Sequence, residues 1–433
     1  WIIWGCSGRQ IHPKSELHRL QERLWRQEIS NPSWKLIFTN AREICRISEC
    51  EKGHNASNRG EAVKIAMFGH KRVPSREGGI EIVVEELSTR MVRDGHEVVC
   101  YNRRGHHVSG AQYDNAAQAT YKGVRLKTVP TWERRGLAAV TSSFFAAACC
   151  AVGDYDVVHI HAEGPAFFAW LPKLFGKRVV VTIHGLDWQR EKWREGFGAK
   201  FIRQGEKNAV KYADEIIVLS RGVQKYFEDT YSRKTVFIPN GVSKNALKPA
   251  EEITERFGLE KDGYILYLGR LVPEKGIHYL IEAFKEIDTD KKLVIAGGAS
   301  DSTEYADELK KSACDNIIFT DFVKGGLLEE LYSNAYIYVL PSDLEGMPLS
   351  LLEAMSYGNC CVTSDIHECK SVIGECGVTF KKGDVGDLKE KLQRLLNDSE
   401  AVEKYKSVSS DYVCNRFNWD EVTRRTLELY YGE

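Results

Sequence analysis

The chain has 433 residues, 43% of them hydrophobic and 28% charged, and a formal net charge of −1. That composition supports two packed cores of ordinary domain size. It excludes a disordered or collagen-like chain, and no nucleic-acid partner is expected.

Residues 1–62 hold four of the nine tryptophans, with scattered charge and no strand–helix alternation. Their closing tract, NRGEAV up to Val63, is what a purine-rich ribosome-binding sequence before a GTG start would encode. The segment is therefore expected to be a non-native or accessory leader, poorly ordered, with Val63 as the true start. The alternative is a genuine accessory helix around 15–29.

From Val63 the pattern is strand then helix. VKIAMFGH (63–70) is a short apolar run and so a buried strand. After the loop KRVPSREGG, apolar residues at 80, 83, 84, 87, 91 and 92 predict a helix closed by Gly95. Strands follow at 96–104, 156–163, 178–185, 215–220 and 235–242, which makes six, with helices at 195–213 and 221–230. The apolar stretch 137–152 fits a packed helix. No run reaches the roughly 20 apolar residues of a membrane span. Residues 243–261 read as a linker with one short helix. The pattern then restarts, with strands at 264–270, 292–298, 316–323, 336–340, 360–365 and 377–383 and helices between them.

The expected fold class is α/β, with two doubly wound Rossmann-like domains facing a cleft. Their spans are 63–242 and 262–410, and residues 411–433 form a helix crossing back to the first domain. Twelve cysteines show no C-x-x-C pair and no framework spacing. Cys100, Cys360 and Cys361 sit in apolar contexts and suit reduced thiols of a cytosolic protein.

The stretch 340–358, LPSDLEGMPLSLLEAMSYG, carries the most chemistry. A strand ends at Leu340, a loop holds Glu345 and Gly346, and a helix starts after Met347 and Pro348, near Leu349. Glu353 lies about one turn into that helix. Helix N–H groups at the carboxyl end of a parallel strand suit a nucleotide diphosphate. A carboxylate at each end can accept protons from sugar hydroxyls. Taken alone, the pair reads more readily as an acidic loop with a helix cap.

Other elements accompany it in order. Gly78–Gly79 begin the first helix, His184–Gly185 end a strand before Asp187, and Glu206 precedes Ala213–Asp214. Pro239–Asn240–Gly241 close the first domain. Gly269–Arg270 and Lys275–Gly276 open the second, and Gly297–Gly298 follow. This ordered set, with Glu345 and Glu353, resembles the signature of family 4 retaining glycosyltransferases of GT-B fold over about 64–431. The loops RVPSREGGIE and HGLDWQREKW are similar to a subgroup that includes bacterial rhamnosyltransferases.

The resemblance implies a nucleotide-diphospho-sugar co-substrate and no cofactor. Arg270 and Lys275 would stabilise the departing diphosphate, and His184 would contact the donor sugar. Glu345 would hold sugar hydroxyls and Glu353 the ribose diol. Gly78, Gly79, Asn240, Gly269, Gly297, Gly346, Met347, Pro348 and Leu349 would line the donor site, with Phe322 and Val323 flanking the base. Arg76, Asp187 and Glu206 are assigned to the acceptor side or to another role in the site. Asp154–Tyr155–Asp156 and Asp288–Thr289–Asp290 both spell D-x-D but lack a glycine-lined phosphate context. They read as caps and surface charge, so no metal is expected.

The charge is unevenly spread: +9 over 63–245, −13 over 246–433 and +3 over 1–62. A basic half faces an anion, either a phosphate-bearing acceptor or an anionic membrane surface. Arg103, Arg104, Lys122, Arg125, Lys127, Arg134 and Arg135 are expected to form such a patch. The acceptor would be a saccharide or lipid-linked saccharide of a bacterial surface polysaccharide. The protein would be cytoplasmic and peripheral on that face of the membrane. Rival readings are a phosphorylase or sucrose-phosphate-type enzyme on the same fold, and a nucleotide-sugar-binding subunit without turnover. A nicotinamide dehydrogenase is disfavoured because GHKRVPSREGG lacks G-x-G-x-x-G.

Overall fold

The computed structural model describes residues 62–76, 78–105, 119–133, 137–189, 196–299 and 303–432. The leader, the helix around 15–29, and Arg134 and Arg135 lie outside the described residues.

The first sheet is built from β1 (Lys64–Phe68), β2 (Glu97–Arg103), β3 (Thr120–Tyr121), β4 (Val124–Val129), β5 (Val157–His161), β6 (Arg178–Ile183), β7 (Glu215–Val218) and β8 (Val236–Phe237). Their spatial order is β3-β4-β2-β1-β5-β6-β7-β8. Every pairing is parallel except the β3–β4 hairpin. Central strands are buried on both faces, which is why VVHIH and RVVVTI read as near-continuous apolar runs.

The sheet therefore has eight strands where the sequence pattern predicts six. The two additional strands form a hairpin whose turn residues, Lys122 and Gly123, both have positive φ (45° and 84°). That conformation suits the right-handed twist of a two-residue hairpin.

The second sheet comprises β9 (Tyr264–Leu268), β10 (Lys292–Ala296), β11 (Ile317–Asp321), β12 (Ile337–Leu340), β13 (Cys360–Ser364) and β14 (Val378–Phe380). It is parallel, in the order β11-β10-β9-β12-β13-β14. Both sheets fall within one unit, Gly60–Glu433. The helix at Leu137–Val152 packs Ala146, Ala147, Cys150 and Ala151 into the first core. Among the described residues no helix is long and apolar enough to cross a membrane, and the described cysteines are free thiols.

Two expected boundaries shift. Residues from Lys248 onward are already second-domain structure: Lys248 N–H donates to Ser333 Oγ at 3.0 Å, and Ile253 is fully buried in the second core. The break placed at 410/411 falls inside helix Ser399–Arg416. The chain returns to the first domain at Phe417–Asn418, where Val242 N–H donates to Phe417 O at 2.6 Å and the two crossing segments run side by side.

The last helix, Trp419–Tyr431, then buries Trp419, Val422, Leu427, Leu429 and Tyr430 among first-domain residues. Tyr430 Oη and His159 Nδ1 lie 2.6 Å apart in full burial, and His159 Nε2 is 2.7 Å from Thr182 Oγ1. Tyr430→Phe leaves the His159 ring nitrogen without a partner, and should lower stability by about 1–3 kcal/mol in equilibrium urea unfolding.

Candidate active site

Doubly wound sheets bind ligands where strand order reverses, at the carboxyl ends. Those points are between β1 and β5 in the first sheet and between β9 and β12 in the second. The residues that leave these strands face one another across a cavity of about 630 Å³, within the usual range for a small-molecule site.

The second-domain wall has two loops. Gly269 and Arg270 follow β9, and a turn at Pro273–Lys275 presents Lys275. Gly276 then takes φ +65°, and a Cβ there would lie 2.1 Å from Pro341 O, so only glycine lets this turn reach the loop after β12. The result is an ion pair: Lys275 Nζ is 2.5 Å from Glu345 Oε1, with side chains 15% and 8% exposed. Ser342 Oγ donates to the same carboxylate oxygen at 2.7 Å.

Pro348 caps helix Leu349–Ser356, which carries Glu353 into the wall. Burial raises the Glu353 pKa above the usual carboxylate value, while Arg76 and the Tyr332 hydroxyl pull the other way. Arg76 Nη1 reaches it from the first domain at 3.4 Å. Gly297, Phe322 and Val323 line the same cavity, after β10 and β11.

From the first domain come Gly78 and Gly79 at the start of helix Gly79–Arg93, Lys71 after β1, Arg103 at the end of β2 and His184 after β6. The two domains meet at the backbone. A Cβ on Gly346 would lie 1.7 Å from His184 O, and one on Gly185 would lie 3.2 Å from Gly346 Cα. Beside this contact Asn240 N–H points at Met347 Sδ (3.0 Å), and Leu349 Cδ1 would lie 3.2 Å from a Cβ on Gly79. The loop 346–349 is thus the seam of the cleft.

Behind the first-domain wall lies a buried polar layer. His161 Nδ1 is 3.1 Å from His184 Nε2, and burial together with neighbouring histidines holds the His161 pKa well below its ordinary value. Glu163, fully buried, accepts from Asp187 N–H at 2.9 Å. Glu206 accepts from Trp188 Nε1 at 3.2 Å and from the Tyr226 hydroxyl at 2.9 Å, and also from the Tyr231 hydroxyl. These carboxyls clamp the 184–189 loop from below. Burial, then Asp187 and Glu206, push the Glu163 pKa well above the carboxylate range.

The structure therefore brings together His184, Arg270, Lys275, Glu345, Glu353, Arg76 and Asn240 with the glycines and with Met347, Pro348, Leu349, Phe322 and Val323. Asp187 and Glu206 do not line the cavity; they anchor the loop, which corrects their acceptor-side placement. Of the cations expected on an outer patch, Arg103 departs, and three others have partners. Arg103 turns into the cleft, Arg125 pairs with Glu97 at 2.8 Å, Lys122 lies 3.9 Å from Glu85, and Lys127 donates to Tyr155 Oη at 3.3 Å. Both D-x-D tracts precede a strand, away from the carboxyl-end cleft. Asp154 and Asp156 hold Lys64, the first residue of β1, and Asp288 N–H donates to Gln393. Sequence reasoning missed Lys71, after β1, and Glu163, after β5; a lone charge at a strand end was the only signal.

Two family models match the chain. Residues 77–245 match the one described as Glycosyltransferase Family 4, and residues 249–410 the one described as Glycosyl transferases group 1. An uncharacterized glycosyltransferase of Methanocaldococcus jannaschii is 26% identical over 389 residues, covering 85% of this chain and 98% of its own. Among solved structures, sucrose-phosphate synthase from Thermosynechococcus elongatus gives a TM-score of 0.73 at 22% identity, over 84% of this chain and 98% of that one. HepE of Anabaena in complex with UDP and glucose gives 0.71 at 15% identity, over 86% and 100%. At these identities the structural likeness is one of fold.

Two outcomes follow from the geometry. Gly346→Ala should force the domains apart at His184 and lower turnover by about 10²-fold or more, read in steady-state assays. Glu163 binds a proton more tightly folded than unfolded, so its contribution falls as pH rises from the ordinary carboxylate value through its raised one. Melting curves from about pH 5 to about pH 8 should show wild type losing stability relative to Glu163→Gln.

Proposed function

Because the chain belongs to the family 4, group 1 glycosyltransferases of GT-B fold, we propose that it moves a sugar from a nucleotide-diphospho-sugar to an acceptor hydroxyl with retention at the anomeric carbon. The observation that carries this reading is the convergence of Arg270, Lys275, Glu345 and Glu353 on one cavity, opposite Gly78, Gly79 and His184. Cations, carboxylates and helix N–H groups are the complement of a diphosphate flanked by two polyols.

On donor binding the two ion pairs exchange partners. Lys275 leaves Glu345 for a phosphate oxygen beside Arg270, and Glu345 takes sugar hydroxyls. Arg76 releases Glu353, which accepts from the ribose diol. The bond from anomeric carbon to phosphate oxygen breaks as the acceptor oxygen approaches on the same face. The acceptor proton passes to the departing phosphate oxygen. Arg270, Lys275 and the helix N-termini offset the developing diphosphate charge, the role a divalent ion fills in metal-dependent transferases. His184, backed by His161, lies beside the reacting sugar.

UDP is the first nucleotide to test, since HepE was solved with UDP and glucose. A deoxyhexose donor belongs beside glucose because of the rhamnosyltransferase-like loops. The acceptor is proposed to be a lipid-linked saccharide of surface polysaccharide synthesis, met at the cytoplasmic membrane face. The positive charge of residues 63–245 supports this.

Lys275→Gln and Glu345→Gln should each lower turnover of a UDP-sugar by about 10²–10³-fold, with melting curves showing a folded protein. Near-normal turnover in both folded variants would remove the mechanism.

A further inference from the structure

Among the described residues, five cations line the cavity: Lys71, Arg76, Arg103, Arg270 and Lys275. Arg76 pairs with Glu353 and Lys275 with Glu345. Arg270, on the second-domain loop with Lys275, is the remaining cation of the leaving-group site. Lys71 and Arg103 are left over, and both belong to the opposite wall.

These two residues are neighbours by construction. Lys71 follows β1, Arg103 ends β2, and Arg103 N–H donates to Lys71 O at 2.7 Å. Among the described residues neither the Lys71 ammonium nor the Arg103 guanidinium has a hydrogen-bonded or ion-paired partner. Burial works against the Arg103 charge, and only the field of Glu81 supports it. Glu81 is itself engaged, since its Oε1 accepts from Lys71 N–H at 2.8 Å. A guanidinium drawn partly out of water, with no partner among the described residues, keeps part of its desolvation cost uncompensated. Of the other clustered cations of this half, Lys122, Arg125 and Lys127 each have a partner, and Arg104 is exposed outside the cavity. Lys71 and Arg103 therefore stand out as charges directed inward at a ligand.

We infer that Lys71 and Arg103 form a second anion site on the first-domain wall, which holds a phosphate carried by the acceptor. This rests on the transferase reading and narrows it: the acceptor is a phosphate ester or diphosphate ester of a sugar. The N-terminus of the 15-residue helix Gly79–Arg93 opens onto the same cavity and adds its dipole. An arginine fork beside a flexible ammonium suits a tetrahedral phosphate better than a neutral hydroxyl. The phosphate has two sources, a soluble sugar phosphate or a sugar on a lipid diphosphate, and both present the same group.

Calorimetric titration of the full chain tests this in three steps. UDP is titrated first. Glucose 1-phosphate, glucose 6-phosphate and glucose are then titrated into the protein saturated with UDP. Vesicles carrying a polyprenyl-diphosphate-linked hexose are compared with the same vesicles lacking it. The expected result is binding of a phosphate-bearing sugar, soluble or lipid-linked, in clear preference to glucose or bare vesicles. Arg103→Gln and Lys71→Gln should weaken that binding by about 10- to 100-fold and leave the UDP affinity unchanged.

Binding of the soluble ester alone identifies a sugar phosphate; binding of the loaded vesicles alone identifies the lipid-linked source. No preference for phosphate overturns the inference. So does unchanged binding in both variants, or an equal loss of UDP affinity, which would assign the two cations to the donor. If UDP and the other nucleoside diphosphates do not bind at all, the transferase reading fails instead. Melting curves verify that each variant is folded, and Lys71→Gln, on a loop, serves if Arg103→Gln is not.

Discussion

The cleft depends on one contact without side chains, the approach of the Gly346 backbone to His184 and Gly185. Each sheet alone presents a set of strand ends to solvent. Bringing the two sets within reach of one ligand requires a place where two backbones touch, and a Cβ on Gly346 would prevent it. The flanking contacts, Asn240 against Met347 and Gly79 against Leu349, involve the same short loop. Any relative movement of the domains must pivot on the paired crossings at Val242 and Asn418 and be read out at this seam. That arrangement fits a hinge-and-lid enzyme, where closure assembles the reacting groups and excludes water.

Charge within the cleft is managed in two ways. Lys275 and Glu345, and Arg76 and Glu353, offset each other, so the polar groups a donor would need are desolvated at reduced cost. Beneath the first-domain wall the opposite holds. Glu163 is kept close to Asp187 and Glu206, and the buried His159 and His161 lie side by side, with His161 against His184. Such groups cost stability and are tolerated where a loop must be held in one geometry. Here the loop is the one that carries His184.

Much of this was legible in the sequence. Parallel strands buried on both faces announce themselves as apolar runs, and the order of the glycines, His184, Arg270, Lys275, Glu345 and Glu353 led to the family. What stayed hidden depends on distance along the chain. Arg76 and Glu353 are 277 residues apart, and no periodicity reports that they meet. Arg103 read as one of several clustered bases; only the β1–β2 pairing turns it inward. Glu206 sits in a helix whose apolar spacing says nothing about which hydroxyls point at its carboxylate. The β3–β4 hairpin was missed because a two-residue strand carries too little pattern to register.

The closing helix has a consequence for biosynthesis. The first domain is discontinuous: its core includes Trp419 and Tyr430, yet the whole second domain lies between them and β8. On the ribosome the first sheet emerges early with one flank uncovered, and His159 lacks Tyr430 until the helix Trp419–Tyr431 is released. The second domain, continuous from Lys248 to Arg416, has all its parts before then. The order of completion is therefore the reverse of the order of synthesis. A chain stopped after Arg416 would present a finished second domain tethered to an unfinished first one, a form exposed to aggregation and proteolysis.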